Sequence, residues 1–139
     1  MRTALLCGLS LGLGLLTGCP PGPSGECTQD TQCAPDLCTR DGQCTPASAT
    51  RSVKITWTIG GHPANAASCA SMPNLFVEVD GDTLAEQIAF APVPCDQGVF
   101  NFDKLPKSYR TAVLGIDGAS TGDRVAIDAS NAAHFDLFP

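Results

Sequence analysis

Tryptophan and tyrosine occur once each in these 139 residues, and 8 basic residues stand against 14 acidic ones. The shortage of positive charge argues against electrostatic binding of nucleic acid or of an anionic lipid surface. Hydrophobic runs are short as well. The longest, Ala4–Leu16, has 13 residues, too few for a bilayer core of about 30 Å that takes roughly 20. No stretch repeats apolar residues at sustained helical spacing, which excludes a helix bundle. No C-x-x-C pair is present for thiol redox work or a zinc knuckle,. No Gly-rich loop carries a lysine for phosphate,. The two histidines, His62 and His134, are far apart, and His62 lies in a Gly-Gly-His-Pro turn. No residue set calls for a cofactor or a metal, and the expectation is that the chain is not an enzyme.

Cysteine is abundant by contrast, with eight residues. Their meaning depends on the N-terminus. Arg2 precedes the apolar run, and the run closes on Leu16-Thr17-Gly18-Cys19. A basic residue, a short apolar core and small residues before a cleavage point read as a signal peptide rather than a membrane span. The tetrapeptide resembles the lipobox of bacterial prolipoproteins. That resemblance implies cleavage between Gly18 and Cys19 and attachment of a diacylglyceryl group to the Cys19 sulfur. It further implies export and anchoring to the cell envelope. Pro20 stands where an aspartate often signals inner-membrane retention, so the outer membrane is the expected address. Residues 1–18 are then the signal peptide, and 19–26, rich in proline and glycine, form a tether,. The remaining 121 residues carry 7 basic and 14 acidic groups, a net charge of −7.

Cys7 leaves with the signal peptide and Cys19 carries lipid. Six cysteines remain: Cys27, Cys33, Cys38, Cys44, Cys69 and Cys95. An even number in an exported chain reads as three disulfides. Four lie in 27–44, where Leu37 is the only sizeable apolar residue. A segment that cannot bury a core must be held by cross-links. Its C-x5-C-x4-C-x5-C spacing is similar to small cysteine-rich modules of the EGF-like or Dickkopf-like kind. Three pairings are open within it, the alternating set Cys27–Cys38 and Cys33–Cys44 being the expected one. Cys69–Cys95 is the simplest partition of the rest. Zinc is the weaker alternative for the cluster.

A linker is expected over 45–52, and period-2 alternation begins at Val53. Val53, Ile55, Trp57 and Ile59 fall on one face, and Lys54, Thr56 and Thr58 on the other,. Further strand-like runs are Leu75–Val79, Gln87–Ala91, Val99–Phe102, Tyr109–Ile116, Arg124–Asp128 and His134–Phe138, separated by turn residues,. The expected fold is all-β: a small disulfide-rich module, then over 53–139 an antiparallel immunoglobulin-like or transthyretin-like β-sandwich of about seven strands. Asp80-Gly81-Asp82 offers carboxylates for calcium, but a turn explains it better. Gly98-Val99-Phe100-Asn101-Phe102-Asp103-Lys104-Leu105-Pro106, followed by Tyr109, resembles the G-x-F-x-F-x-x-L-P turn of carboxypeptidase-regulatory-like sandwiches. Those modules are transthyretin-like and usually non-catalytic accessories of surface proteins. The expected role is a membrane-anchored, non-catalytic binding, adhesion or structural accessory. Its partner would be an envelope or extracellular protein or a glycan, with no nucleic acid. An envelope enzyme or a metal- or redox-handling protein is the alternative.

Overall fold

The computed structural model describes residues 27–83 and 85–138. The lipobox, the acceptor Cys19 and the tether 19–26 lie outside the described residues. The described chain is all-β, with short 3-10 turns and no α-helix. The cysteine-rich module opens with a 3-10 turn, Asp30–Gln32, and forms one small hairpin. Its strands β1 (Leu37–Cys38) and β2 (Cys44–Thr45) pair antiparallel around Asp41-Gly42. Gly42 takes φ 77°, which the tight turn requires,. The disulfides formed are Cys27–Cys38 and Cys33–Cys44, the alternating pairs. The Cys27, Cys33 and Cys38 sulfurs lie within 4.8 Å of one another because the two bridges stack. As disulfide sulfurs they offer no thiolate to a metal.

The sandwich follows with little slack. Ala47–Ala49 is a 3-10 turn, and β3 (Thr50–Ile59) starts three residues before the alternation becomes visible. Most of the expected linker is therefore structured. Thr50 and Arg51 pair with Pro106 and Leu105, and the Lys107 N–H donates to the Ala49 carbonyl at 2.9 Å. After β4 (His62–Pro63) comes a single helical turn in which Asn65 caps Ala67 and Ser68. Then come β5 (Asn74–Asp80), β6 (Gln87–Pro94), β7 (Val99–Pro106), β8 (Thr111–Ile116), β9 (Asp123–Ala126) and β10 (Ala132–Leu137).

Two four-stranded sheets result. The first has β3 between β10 on one side and β4 and β7 on the other; the second runs β6-β5-β8-β9. Alternation places Val53, Ile55, Trp57 and Ile59 of β3 against Leu75, Val77 and Val79 of β5. Phe102, Leu114, Phe135 and Leu137 fill the space between. The Trp57 indole N–H donates to the Cys95 carbonyl at 2.7 Å, beside the Cys69–Cys95 bridge. Phe90 of β6 meets Phe100 and Phe102 of β7 at ring-centroid distances of 5.2 and 5.5 Å, closing one side of the sandwich.

One pairing departs from an all-antiparallel plan. β10 runs parallel to β3, with six residue pairs from Ala132–Lys54 to Leu137–Ile59. The cause is the preceding connection. β9 belongs to the second sheet, so the chain crosses to the first sheet and enters it from the end at which β3 begins. Asp128 builds that corner: its carboxylate accepts from the Ser130 and Ala132 N–H groups, and Asn131 takes φ 62°.

A β-bulge joins the module to the sandwich. Between the pairs Arg51–Leu105 and Val53–Phe102, β7 carries one extra residue, and Lys104 adopts φ 50°,. The kink lets both Phe102 and Leu105 point inward while Asp103 and Lys104 face the module. Lys104 Nζ donates to Asp30 at 2.7 Å, Asp103 pairs with Arg40, and the Arg40 N–H donates to the Lys104 carbonyl.

Candidate binding hollow on the second sheet

The outward residues of β5 are Phe76, Glu78 and Asp80, alternating with the buried Leu75, Val77 and Val79. Pairing sets their neighbours. Phe76 lies opposite Gly115. Glu78 lies between Ala89 and Val113, and Val113 faces Arg124. Asp80 lies between Gln87 and Thr111. The loop 117–122 between β8 and β9 rises beside this face and turns it into an open hollow of about 500 Å³. The loop stands at the end of the sandwich away from the module, since Ile116 pairs with Leu75 while Arg51, at the module end, reaches the Tyr109 carbonyl.

Two glycines place the aromatic ring. A β-carbon on Gly115 would lie 2.4 Å from Phe76 Cε1, and one on Gly122 would lie 2.9 Å from Phe76 Cζ. The ring tip therefore occupies the space of two missing side chains, and the half-buried ring floors one end of the hollow.

The charges are unevenly paired. Arg124 pairs with Asp80, and the Gln87 amide reaches Asp80 at 3.4 Å. None of the four ion pairs among the described residues includes Glu78. Burial holds the Glu78 carboxyl above its ordinary range, and the neighbouring Asp80 charge pushes the same way,. The hollow thus offers an aromatic face, a half-buried carboxylate outside those ion pairs, an amide, a paired guanidinium and the Ser120 and Thr121 hydroxyls.

The residues singled out in the sequence fall elsewhere. His62 is exposed in β4, and His134 contacts Thr56 Oγ1 at 3.0 Å on the outside of the first sheet. Asp80 and Asp82 do not converge: Asp82 pairs with Arg110 at 3.2 Å. The Gly81 N–H bonds to the Glu86 carbonyl, as a turn requires. Loop residues Gly118-Ala119-Ser120-Thr121-Gly122 spell G-x-S-x-G. The loop joins antiparallel strands with no helix after it, so the strand-turn-helix setting of a nucleophile elbow is missing,. Neither histidine lines the hollow. Sequence reasoning also missed Phe76, Glu78, Gln87 and Arg124. The available signal was an aromatic residue at a solvent-side position of an alternating strand.

No protein-family model matches the chain, and neither the curated proteins nor the solved structures contain a match to it.

Proposed function

We propose that this chain is an envelope lipoprotein: a non-catalytic accessory, anchored through acylated Cys19, that presents a rigid two-part body for binding. The carrying observation is how that body is built. The module has almost no core of its own, yet it is stapled twice and clasped to the bulge of β7 through Lys104–Asp30 and Asp103–Arg40. A spacer with no need of orientation gains nothing from such a clasp. The loop 117–122 that walls the hollow stands at the end remote from the module, which suits a ligand approaching from that side. The lipobox Leu16-Thr17-Gly18-Cys19 supports the anchor, and two or three acyl chains hold a protein stably where one does not. The likeness of 98–106 to carboxypeptidase-regulatory-like turns supports an accessory role.

The test is the intact mass of protein extracted from membranes and alkylated without reduction. A mass beginning at Cys19, with acyl chains and no alkylated thiol, is the expected result. An unacylated mass removes the anchor. Alkylated thiols among the six cysteines revive the metal or redox alternative.

A further inference from the structure

We propose that the hollow on the second sheet binds a neutral saccharide, with Phe76 as the platform for one sugar face and Glu78, Gln87 and Arg124 as hydrogen-bonding partners of its hydroxyls. This rests on the reading of the chain as a binding module and names its ligand class. The chemistry of the lining selects among ligands. An anionic ligand meets Glu78 and Asp117 around a single guanidinium already committed to Asp80. A purely apolar ligand would cover the Glu78 carboxylate and the Gln87 amide without replacing their water, which is costly. A basic peptide would pair with Glu78 but would bring its charge up to Arg124, one strand position beyond Val113. It would also leave the Ser120 and Thr121 hydroxyls of the wall without a role.

A pyranose ring satisfies all of these groups at once. Its C–H face is apolar enough to lie on an aromatic ring. Its hydroxyls donate to Glu78 and to the Gln87 carbonyl oxygen, and accept from the Arg124 and Gln87 N–H groups. A carboxylate that accepts from hydroxyls forms the stronger, charge-assisted kind of hydrogen bond. The volume lies within the range of small-ligand sites,. The hollow is open to solvent rather than enclosed. The arrangement is built rather than incidental: Gly115 and Gly122 both lack the side chain that would lift Phe76 from its place.

The experiment is calorimetric titration of the full chain with soluble N-acetylglucosamine, glucose and mannose hexamers, with trigalacturonate and hexalysine as charged probes. Variants are Phe76→Ala, Glu78→Gln and Ala89→Trp. The last adds an indole at an exposed wall position and removes no core packing, so it blocks the hollow even if Phe76→Ala perturbs folding. Far-UV dichroism and thermal melts check the fold of each. At least one neutral hexamer is expected to bind. Ala89→Trp and Phe76→Ala should weaken it about tenfold or more, a loss of ~1.4 kcal/mol, and Glu78→Gln should weaken it less. Failure of every neutral hexamer overturns the proposal, as does unchanged binding to Ala89→Trp. Binding of hexalysine or trigalacturonate alone reassigns the hollow to a basic peptide or an acidic polymer. The anchor is tested separately: an acylated chain that binds no sugar sinks this inference alone, and an unacylated chain that binds sugar sinks only the anchor.

Discussion

Gly115 and Gly122 both lie beneath the Phe76 ring, but a β-carbon meets different things at the two positions. At Gly122 it would come within 2.6 Å of the Leu114 carbonyl oxygen, which belongs to the strand beside it. Backbone cannot swing aside, so β9 must shift on β8. Gly122→Ala should cost about 1–3 kcal/mol, as overpacking does. For a domain of this size, each kcal/mol is worth roughly 4–8 °C in melting temperature. At Gly115 the nearest atoms are Cε1 and Cζ of Phe76, the far end of a side chain. The ring can rotate away there and the nearest backbone atom, Gly122 Cα, is 3.0 Å off, so Gly115→Ala should cost less than Gly122→Ala while displacing the platform. Thermal melts of the two variants decide this. An equal loss for both would mean that the ring is locked by more than these two contacts.

At the scale of elements, the β7 bulge carries the link between module and sandwich. Lys104 holds the Asp30 carboxyl below its ordinary value of 3.8, and Arg40 does the same to Asp103. A carboxylate with a depressed folded-state pKa contributes stability that is present above the unfolded value. That contribution is lost as pH falls through the folded one. The clasp should therefore persist at pH 7 and pH 5 and loosen only below about pH 3.8, the unfolded value,. The Arg40 amide reports on it, because it bonds across to the Lys104 carbonyl, whereas the Thr39 amide bonds to Gln43 inside the module. Hydrogen-exchange protection should fall at Arg40 and hold at Thr39 on acidification. Protection lost at Arg40 already at pH 5, where both carboxylates are ionised, would show that the ion pairs do not hold the clasp. Little of this was legible in the sequence. The strands were, because Val53 to Ile59 and Leu75 to Val79 alternate cleanly and bury one face. The bulge was not, since nothing in Asp103-Lys104 announces a positive φ. The parallel placement of β10 depends on which sheet β9 joins, a long-range fact that period-2 patterning does not encode. The hollow was hidden for a related reason: Phe76, Gly115 and Gly122 become neighbours only through register.

For the whole molecule, the three disulfides fall into two environments, and that predicts an order of loss. Cys69 and Cys95 are 3% and 0% exposed and belong to the core shared by both sheets, next to Trp57. Their bridge, spanning a sequence separation of 26, contributes roughly 3.5 kcal/mol in the chain-entropy account, and a reductant reaches it only when the sandwich opens. In the module Cys44 is exposed and Cys38 half-buried, and no module residue enters that core. Such a segment has no core to hold it and depends on its cross-links and on the polar clasp to β7,. Mild reduction at neutral pH should therefore release four thiols first and leave two protected, so that alkylation with time gives a four-adduct plateau before six. The Trp57 near-UV signal should be unchanged at the plateau and disappear with the final two. Six adducts arriving together with loss of the Trp57 signal would mean that the module is part of the cooperative unit. The clasp at β7 would then be as important to folding as the core is, and removing Arg40 and Lys104 together should melt the sandwich itself.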